Sequence, residues 1–525
     1  MKKVLSIVVL ACLFVLVGCT TNTKSNARAY VTSIAARSTS VSFKVEVRDP
    51  DSELDSNDFV VRLSATGTSD VEQALALTTQ NRTKTMTFED LVEDTEYAVY
   101  VIGKIDSKDV ELYASQKVFK TLKQGDEAEN PIMIETTEQF LNMDAKKHYA
   151  LANDLDFENA SFGPLFKAGT PFNGSFDGRE FTIRNINITE ADDVYQSYAS
   201  IFGYASRSTI KNVKFDNIHI DNDEKPYIGI SHVGLVVAKV SNNGFLLENV
   251  EITNSSITIR HNINQSLTNR NLYVGLVGGS MQGTLRNIVV KNSNLNVTQH
   301  AVNGTYAGSQ AATAGTYVGG AFGLIEQDKG TGIENIAVVD TKIDVTIDQD
   351  KAALGSGLLF VGGVFGAYRS DRNAQSLYSN ATITLNHKQH ENTASDKLDT
   401  VYVGGLVGSM IKSRFNEAYG HATITLTLSN PLNRVHAHLL AGQATSSSMV
   451  LLAGGSIDVV TTNDTQYPMA LEVFPHNWSN KLNQVKILAD ASITLDGVAM
   501  DLSNFTVVDQ VEDHINSAFV LEHKK

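Results

Sequence analysis

A chain of 525 residues is longer than one hydrophobic core organises, so two or more domains or an elongated array are expected. A hydrophobic share of 42% against 19% charged residues excludes a broadly disordered chain. A net charge of −15 argues against nucleic acid or an anionic membrane surface as the main partner, and the only two cysteines, Cys12 and Cys19, exclude a disulfide framework or a thiolate metal site.

The chain opens with a positive pair, Lys2 and Lys3, and an apolar run from Val4 to Val17. That run is shorter than the about 20 residues a membrane-spanning helix needs, and it fits a secretion signal. Its end, Leu16-Val17-Gly18-Cys19, resembles the lipobox of bacterial lipoproteins. The resemblance implies diacylglycerol transfer to the Cys19 sulfur and cleavage between Gly18 and Cys19. Residues 1–18 are then a signal peptide, and the mature chain is lipid-anchored on the extracytoplasmic face of the cell membrane. That chain keeps 507 residues and a net charge of −17. Residues 19–27 are polar and read as a flexible tether.

Residues 28–123 show short alternating strands separated by turn signals. Val41, Phe43, Val45 and Val47 alternate with polar residues, and Phe59–Leu63, Thr85–Phe88, Tyr97–Val101 and Lys117–Thr121 continue the pattern. This spacing predicts a β-sandwich. The segment Leu91-Val92-Glu93-Asp94-Thr95-Glu96-Tyr97 resembles the tyrosine corner of fibronectin type III domains. The resemblance implies that the Tyr97 hydroxyl bonds to upstream backbone. Val41 and Phe43 stand where that family carries a core tryptophan.

From residue 131 to about 500 the chain repeats itself. Gly234, Gly275, Gly319, Gly362 and Gly404 open five Gly-rich blocks, 41, 44, 43 and 42 residues apart. Between the blocks, Asn212, Asn249, Asn287 and Asn335 each stand among apolar residues. Asparagine tolerates left-handed backbone, so one turn per repeat is expected, with the amides in a ladder once the repeats stack. The period predicts a parallel β-solenoid, two coils of about 21 residues to each repeat and a rod on the order of 80 Å. Together with Phe172-Asn173-Gly174-Ser175-Phe176-Asp177-Gly178, the blocks resemble proteins carrying GLUG repeats, which implies a right-handed parallel β-helix. Residues 136–143 read as a helix capping the first coil, and residues 501–525 as a C-terminal cap or tail.

Chemistry is sparse. His436 and His438, with His421 earlier, have the spacing of a metal pair without a nearby carboxylate, so no metal or cofactor is expected. His387 and His390 lie in a polar stretch and read as solvated. Asp154, Asp156 and Asp177 are the carboxylates to consider for a polysaccharide lyase or hydrolase, but no acid recurs from repeat to repeat, so no catalytic residue is assigned. Asn380-Ala381-Thr382 matches a glycosylation triplet by chance. Tyr273, Tyr317, Phe360 and Tyr402 recur at one phase and read as a structural column; Tyr306 is a possible stacking residue in a loop. The expectation is an adhesin or glycan-binding surface lipoprotein that recognises a cell-surface ligand through loops between repeats. A carbohydrate-active enzyme and a passive spacer are the alternatives.

Overall fold

A computed structural model describes residues 26–79, 81–112, 116–189, 191–193, 196–223, 230–264, 271–302, 314–327, 332–349, 357–371, 373–393, 399–429, 434–445, 448–462, 469–472, 485–503, 505–512 and 514–524. The chain divides after Glu127 into two compact units.

The first unit contains strands β1 (Arg28–Ala36), β2 (Val41–Arg48), β3 (Asp58–Ser64), β4 (Val71–Ala76), β5 (Thr83–Phe88), β6 (Glu96–Ile105), β7 (Lys108–Glu111) and β8 (Lys117–Lys120). They form two antiparallel sheets, β1-β2-β5 and β4-β3-β6-β7, with β8 also on β6. Alternation explains the arrangement: Val41, Phe43, Val45 and Val47 point inward and meet Phe59, Val61, Tyr97 and Val99 from the other sheet in one core. The Tyr97 hydroxyl accepts a hydrogen bond from the Val92 amide at 3.0 Å, the upstream bond expected of a tyrosine corner.

The second unit is a solenoid of stacked parallel strands. One coil shows the plan: face I is Leu272–Gly275, face II Gly278–Met281, face III Thr284–Lys291 and face IV Asn294–Val302. Each face pairs in parallel with the same face of the next coil, for example Tyr273 with Tyr317 and Leu295 with Ile343. Inward residues such as Val274, Met281, Leu285 and Leu295 are buried in one continuous core.

The 42-residue period is therefore one four-sided coil, not two coils of 21. Four strands of four to nine residues with short corners consume the whole repeat. Face III stacks twelve strands, from Ile132–Ile134 to Thr506–Val508, which at about 4.8 Å per step spans roughly 50 Å rather than 80 Å. The solenoid continues past residue 430, and its last strand lies beyond residue 500.

The N-terminal end of the stack is closed. A short helix, Thr137–Leu141, starts with a Thr136–Gln139 capping box and places Phe140 edge-on against Phe157, Phe176 and Phe202. The C-terminal segment packs along a side. Val511, Ile515 and Val520 fold back along the outside of face III, over Ala337, Tyr378, Tyr419 and Leu452.

An amide ladder braces the coils. Asn249 Nδ2 donates to Asn212 Oδ1 at 2.7 Å, Asn287 to Asn249 at 2.8 Å and Asn335 to Asn287 at 2.8 Å. All four have positive φ, from 53° to 57°. The expected turn is a left-handed kink inside the face III strand, and the side chain bonds the next amide rather than backbone. A second series sits at the corner between faces III and IV, with Asn217, Asn254 and Asn292 at φ of 56°, 51° and 49°. Asn380, part of the chance triplet, reaches Asp340 there at 2.9 Å.

Candidate recognition surface

Two corners of the coil are tight, the one between faces II and III varies from two to five residues, and one varies widely. Face I joins face II through two residues in successive coils: 276–277, 320–321, 363–364 and 405–406. Face III joins face IV through two residues as well, at 254–255, 292–293, 340–341, 380–381 and 421–422. Face IV joins the next face I through 7, 11, 8, 11 and 4 residues, counted after Asn264, Val302, Asp348, Lys388 and Ser429. Both long loops singled out in the sequence, 302–315 and 387–400, belong to this corner.

The fixed corner between faces I and II explains the Gly-rich blocks. A Cβ on Gly319 would lie 2.0 Å from the Phe322 carbonyl oxygen, and one on Gly363 would lie 2.1 Å from that of Gly405 in the next coil. Backbone meets backbone there, and no side chain fits.

Beneath the variable corner the interior turns polar. Inward positions of face IV are aliphatic through Ile259, Val297, Val345 and Leu385. Two residues on stand His261, Gln299, Ile347 and His387, in register from coil to coil. Gln299 Oε1 accepts from the Thr316 hydroxyl at 2.8 Å, which ties face IV to face I.

The strongest cluster surrounds Asp399. Its Oδ2 accepts from Gln349 Nε2 at 2.6 Å and faces His387 Nε2 at 3.1 Å; its Oδ1 accepts from the Gly357 amide at 2.6 Å. Gln389 donates to Gln349 Oε1 at 2.8 Å and accepts from the Asp399 amide at 3.1 Å. These residues stand at the ends of the connections 349–356 and 389–399, so one buried network clamps the feet of two adjacent loops. His387 is only 1% exposed and Asp399 5%, which overturns the expectation of a solvated His387. His390 is half-buried, and its Nδ1 accepts from the Asn392 amide at 3.2 Å. The His387 Nδ1 has no hydrogen-bond partner.

Sequence reasoning missed Gln349, Gln389 and Asp399 because their partners lie 10 to 50 residues away. The usable signal was the break in face IV alternation, where an aliphatic position becomes His or Gln.

The phased aromatics form a column on the outside of face I. Tyr198, His232, Tyr273, Tyr317, Phe360, Tyr402 and His436 stack in order with centroid spacings of 4.9–5.6 Å. Each ring covers the next, so edges rather than faces meet solvent, and the column is no platform for stacking a sugar. Burial raises Tyr273 to about 12. Burial, with Lys239 nearby, holds His232 well below the usual imidazole range, and neither of its ring nitrogens has a hydrogen-bond partner.

The remaining sequence candidates separate. His436 stacks on Tyr402, and His438 lies 6.1 Å from it in the same strand. His421 instead pairs with Asp490 at 2.5 Å. Among the described residues no three His, Cys, Asp or Glu side chains gather as a metal group. Asp154 accepts from the Thr182 amide. Asp156 accepts from Asn185, the Glu158 amide and Arg184, which lower it to about 2. Asp177 accepts from Asn212 and the Arg179 amide. All three carboxylates brace the fold. Gly18, Cys19 and Tyr306 lie outside the described residues. In comparisons with known proteins, no family model and no curated protein matches this chain.

Proposed function

We propose that this chain is a bacterial surface lipoprotein, anchored through acylated Cys19, which recognises a glycan or another cell-surface ligand at the corner where face IV meets face I. The carrying observation is the confinement of large length variation to that corner, with connections of 4 to 11 residues against two at the fixed corners. Variable loops on a rigid stack are where repeat proteins place binding. The buried clamp around Asp399 supports the assignment, because it positions two loop feet. The sandwich, with its Tyr97 bond, fits a fibronectin type III-like module, and the Gly-rich corner fits GLUG repeats.

A glycan array probed with residues 20–525 and scored for binding and cleavage tests the proposal. Saturable binding without product supports it. Release of oligosaccharide overturns it in favour of an enzyme, and silence on both overturns glycan recognition. Acylation is tested by mass spectrometry of the membrane fraction: a Cys19→Ala chain should carry no lipid and appear in the medium.

A further inference from the structure

The core of the solenoid ends differently at its two ends. At the start, Phe140 is fully buried against Phe157, Phe176 and Phe202 and covers the interior. At the other end the inward columns run on into the last coil. Gly420, Ala453, Ile487 and Val507 follow one another in register on face III. Leu426, Val459 and Leu495 do so on face IV, and Val498 lies directly opposite Leu495 across a closing hairpin. Ile487 and Val459 are buried, whereas Val507 is 54% exposed and Val498 69%. Met500, two residues on from Val498, is exposed as well.

These are core positions, and among the described residues no strand continues the stack past them. A solenoid end without a polar cap leaves apolar surface in water and needs cover. The chain's own tail does not supply it, because Val511, Ile515 and Val520 lie along the outside of face III. The backbone is open too. Among the described residues, Thr506–Val508 pairs on one side only, with the strand Val485–Leu488, and carries no charged side chain to guard its other edge.

We propose that this end docks on the same end of a second copy, in a two-fold pair. Phe140 covers the core at the N-terminal end, so no open core is offered there for head-to-tail stacking. A two-fold axis sets each Thr506–Val508 edge antiparallel to its counterpart and gathers Val498, Met500 and Val507 of both copies into one apolar layer. Strands of eight and nine residues on faces III and IV are about 26 and 30 Å long, which gives an end on the order of 500 Å². Two such ends bury about 1,000 Å², the lower limit of a specific interface, so the pair forms in the micromolar range. Without Lys2 and Lys3 the net charge passes from −15 to −17, so two copies repel and the apolar contact works against that repulsion. Salt therefore strengthens the pair.

Sedimentation equilibrium of residues 20–525, from about 1 to 100 μM at low and high salt, tests the proposal. The expected result is a monomer–dimer equilibrium that tightens as salt rises. Val507→Asp puts a charge into the apolar layer and should weaken the dimer at least about ten-fold. If that variant fails to fold, Val498→Asp, on the more exposed hairpin, carries the same test. Val118→Asp alters a similarly exposed apolar side chain in the sandwich and should leave the equilibrium unchanged. A monomer at every concentration overturns the proposal, as does a dimer that ignores the end variants. Mass that grows beyond the dimer overturns the two-fold arrangement, because it needs an interface that does not close.

Discussion

The corner between faces I and II and the corner between faces IV and I belong to the same coil, yet they obey opposite constraints. At the first, two residues turn the chain and glycine is required because neighbouring backbones touch. At the second, connections differ in length from coil to coil, and their feet are joined by side chains instead. A solenoid needs strand registration on its faces but tolerates freedom wherever a connection leaves the stack. The difference separates what holds the rod together from what is free to recognise.

The largest effect is expected at the fixed corner. Gly363→Val places a branched side chain where a single Cβ already lies 2.1 Å from the Gly405 carbonyl oxygen and 2.3 Å from Ser379 Oγ. Neither coil can withdraw without breaking its strand pairing. The expected cost is at least about 3 kcal/mol, read as a collapse of the urea midpoint or failure to accumulate folded protein. A midpoint unchanged within error would mean that the glycine block is not a packing constraint.

The buried clamp comes next. Asp399→Ala leaves Gln349 Nε2, the Gly357 amide and the His387 ring without their acceptor. The expected loss is about 3–5 kcal/mol. Asp399→Asn keeps the shape and one acceptor and should cost less than half as much. Amide exchange at Gly357 and Gln389 should rise in both variants. Unchanged exchange would separate the clamp from the loops and weaken the contrast between the two corners.

The stacked fold was readable because it repeats. Glycine spacing and aromatic phase recur about every 42 residues and the asparagines every 37 to 48, and each proved to be a column in the structure. Coil size was misjudged because the period gives the repeat, not the number of sides. Two short corners look like one longer loop until the Gly-rich segment is seen to fold back on face I. The clamp was hidden because Gln349 and Asp399 lie 50 residues apart and meet only once the coils stack. A column announces itself in sequence; a junction between unlike loops does not.

The aromatic column offers a smaller, pH-dependent test. His232 is 3% exposed and held neutral, whereas the unfolded chain takes up a proton near 6.5. Below that pH the unfolded state binds more protons, so stability is present above about 6.5 and lost as the pH falls through it. The slope from this residue is at most about 1.4 kcal/mol per pH unit. His232→Phe keeps a ring between Tyr198 and Tyr273 and removes the titration. The variant should match the parent near neutral pH and exceed it near pH 5. Parallel stability curves would mean that His232 is solvated or paired.

The smallest expected effect is the one most useful for function. Inserting Gly-Ser between Gly308 and Ser309 lengthens the connection after Val302 from 11 to 13 residues. Loop-closure entropy prices that change at a few tenths of a kcal/mol. The same insertion between Leu276 and Val277 doubles a two-residue corner whose backbone registers with the coils on either side, and it should unfold the solenoid. If both insertions are tolerated, the fixed corner is not fixed and the assignment of recognition to the variable one loses its basis. If only the first is tolerated and it also alters ligand binding, stability and recognition have been separated within one coil.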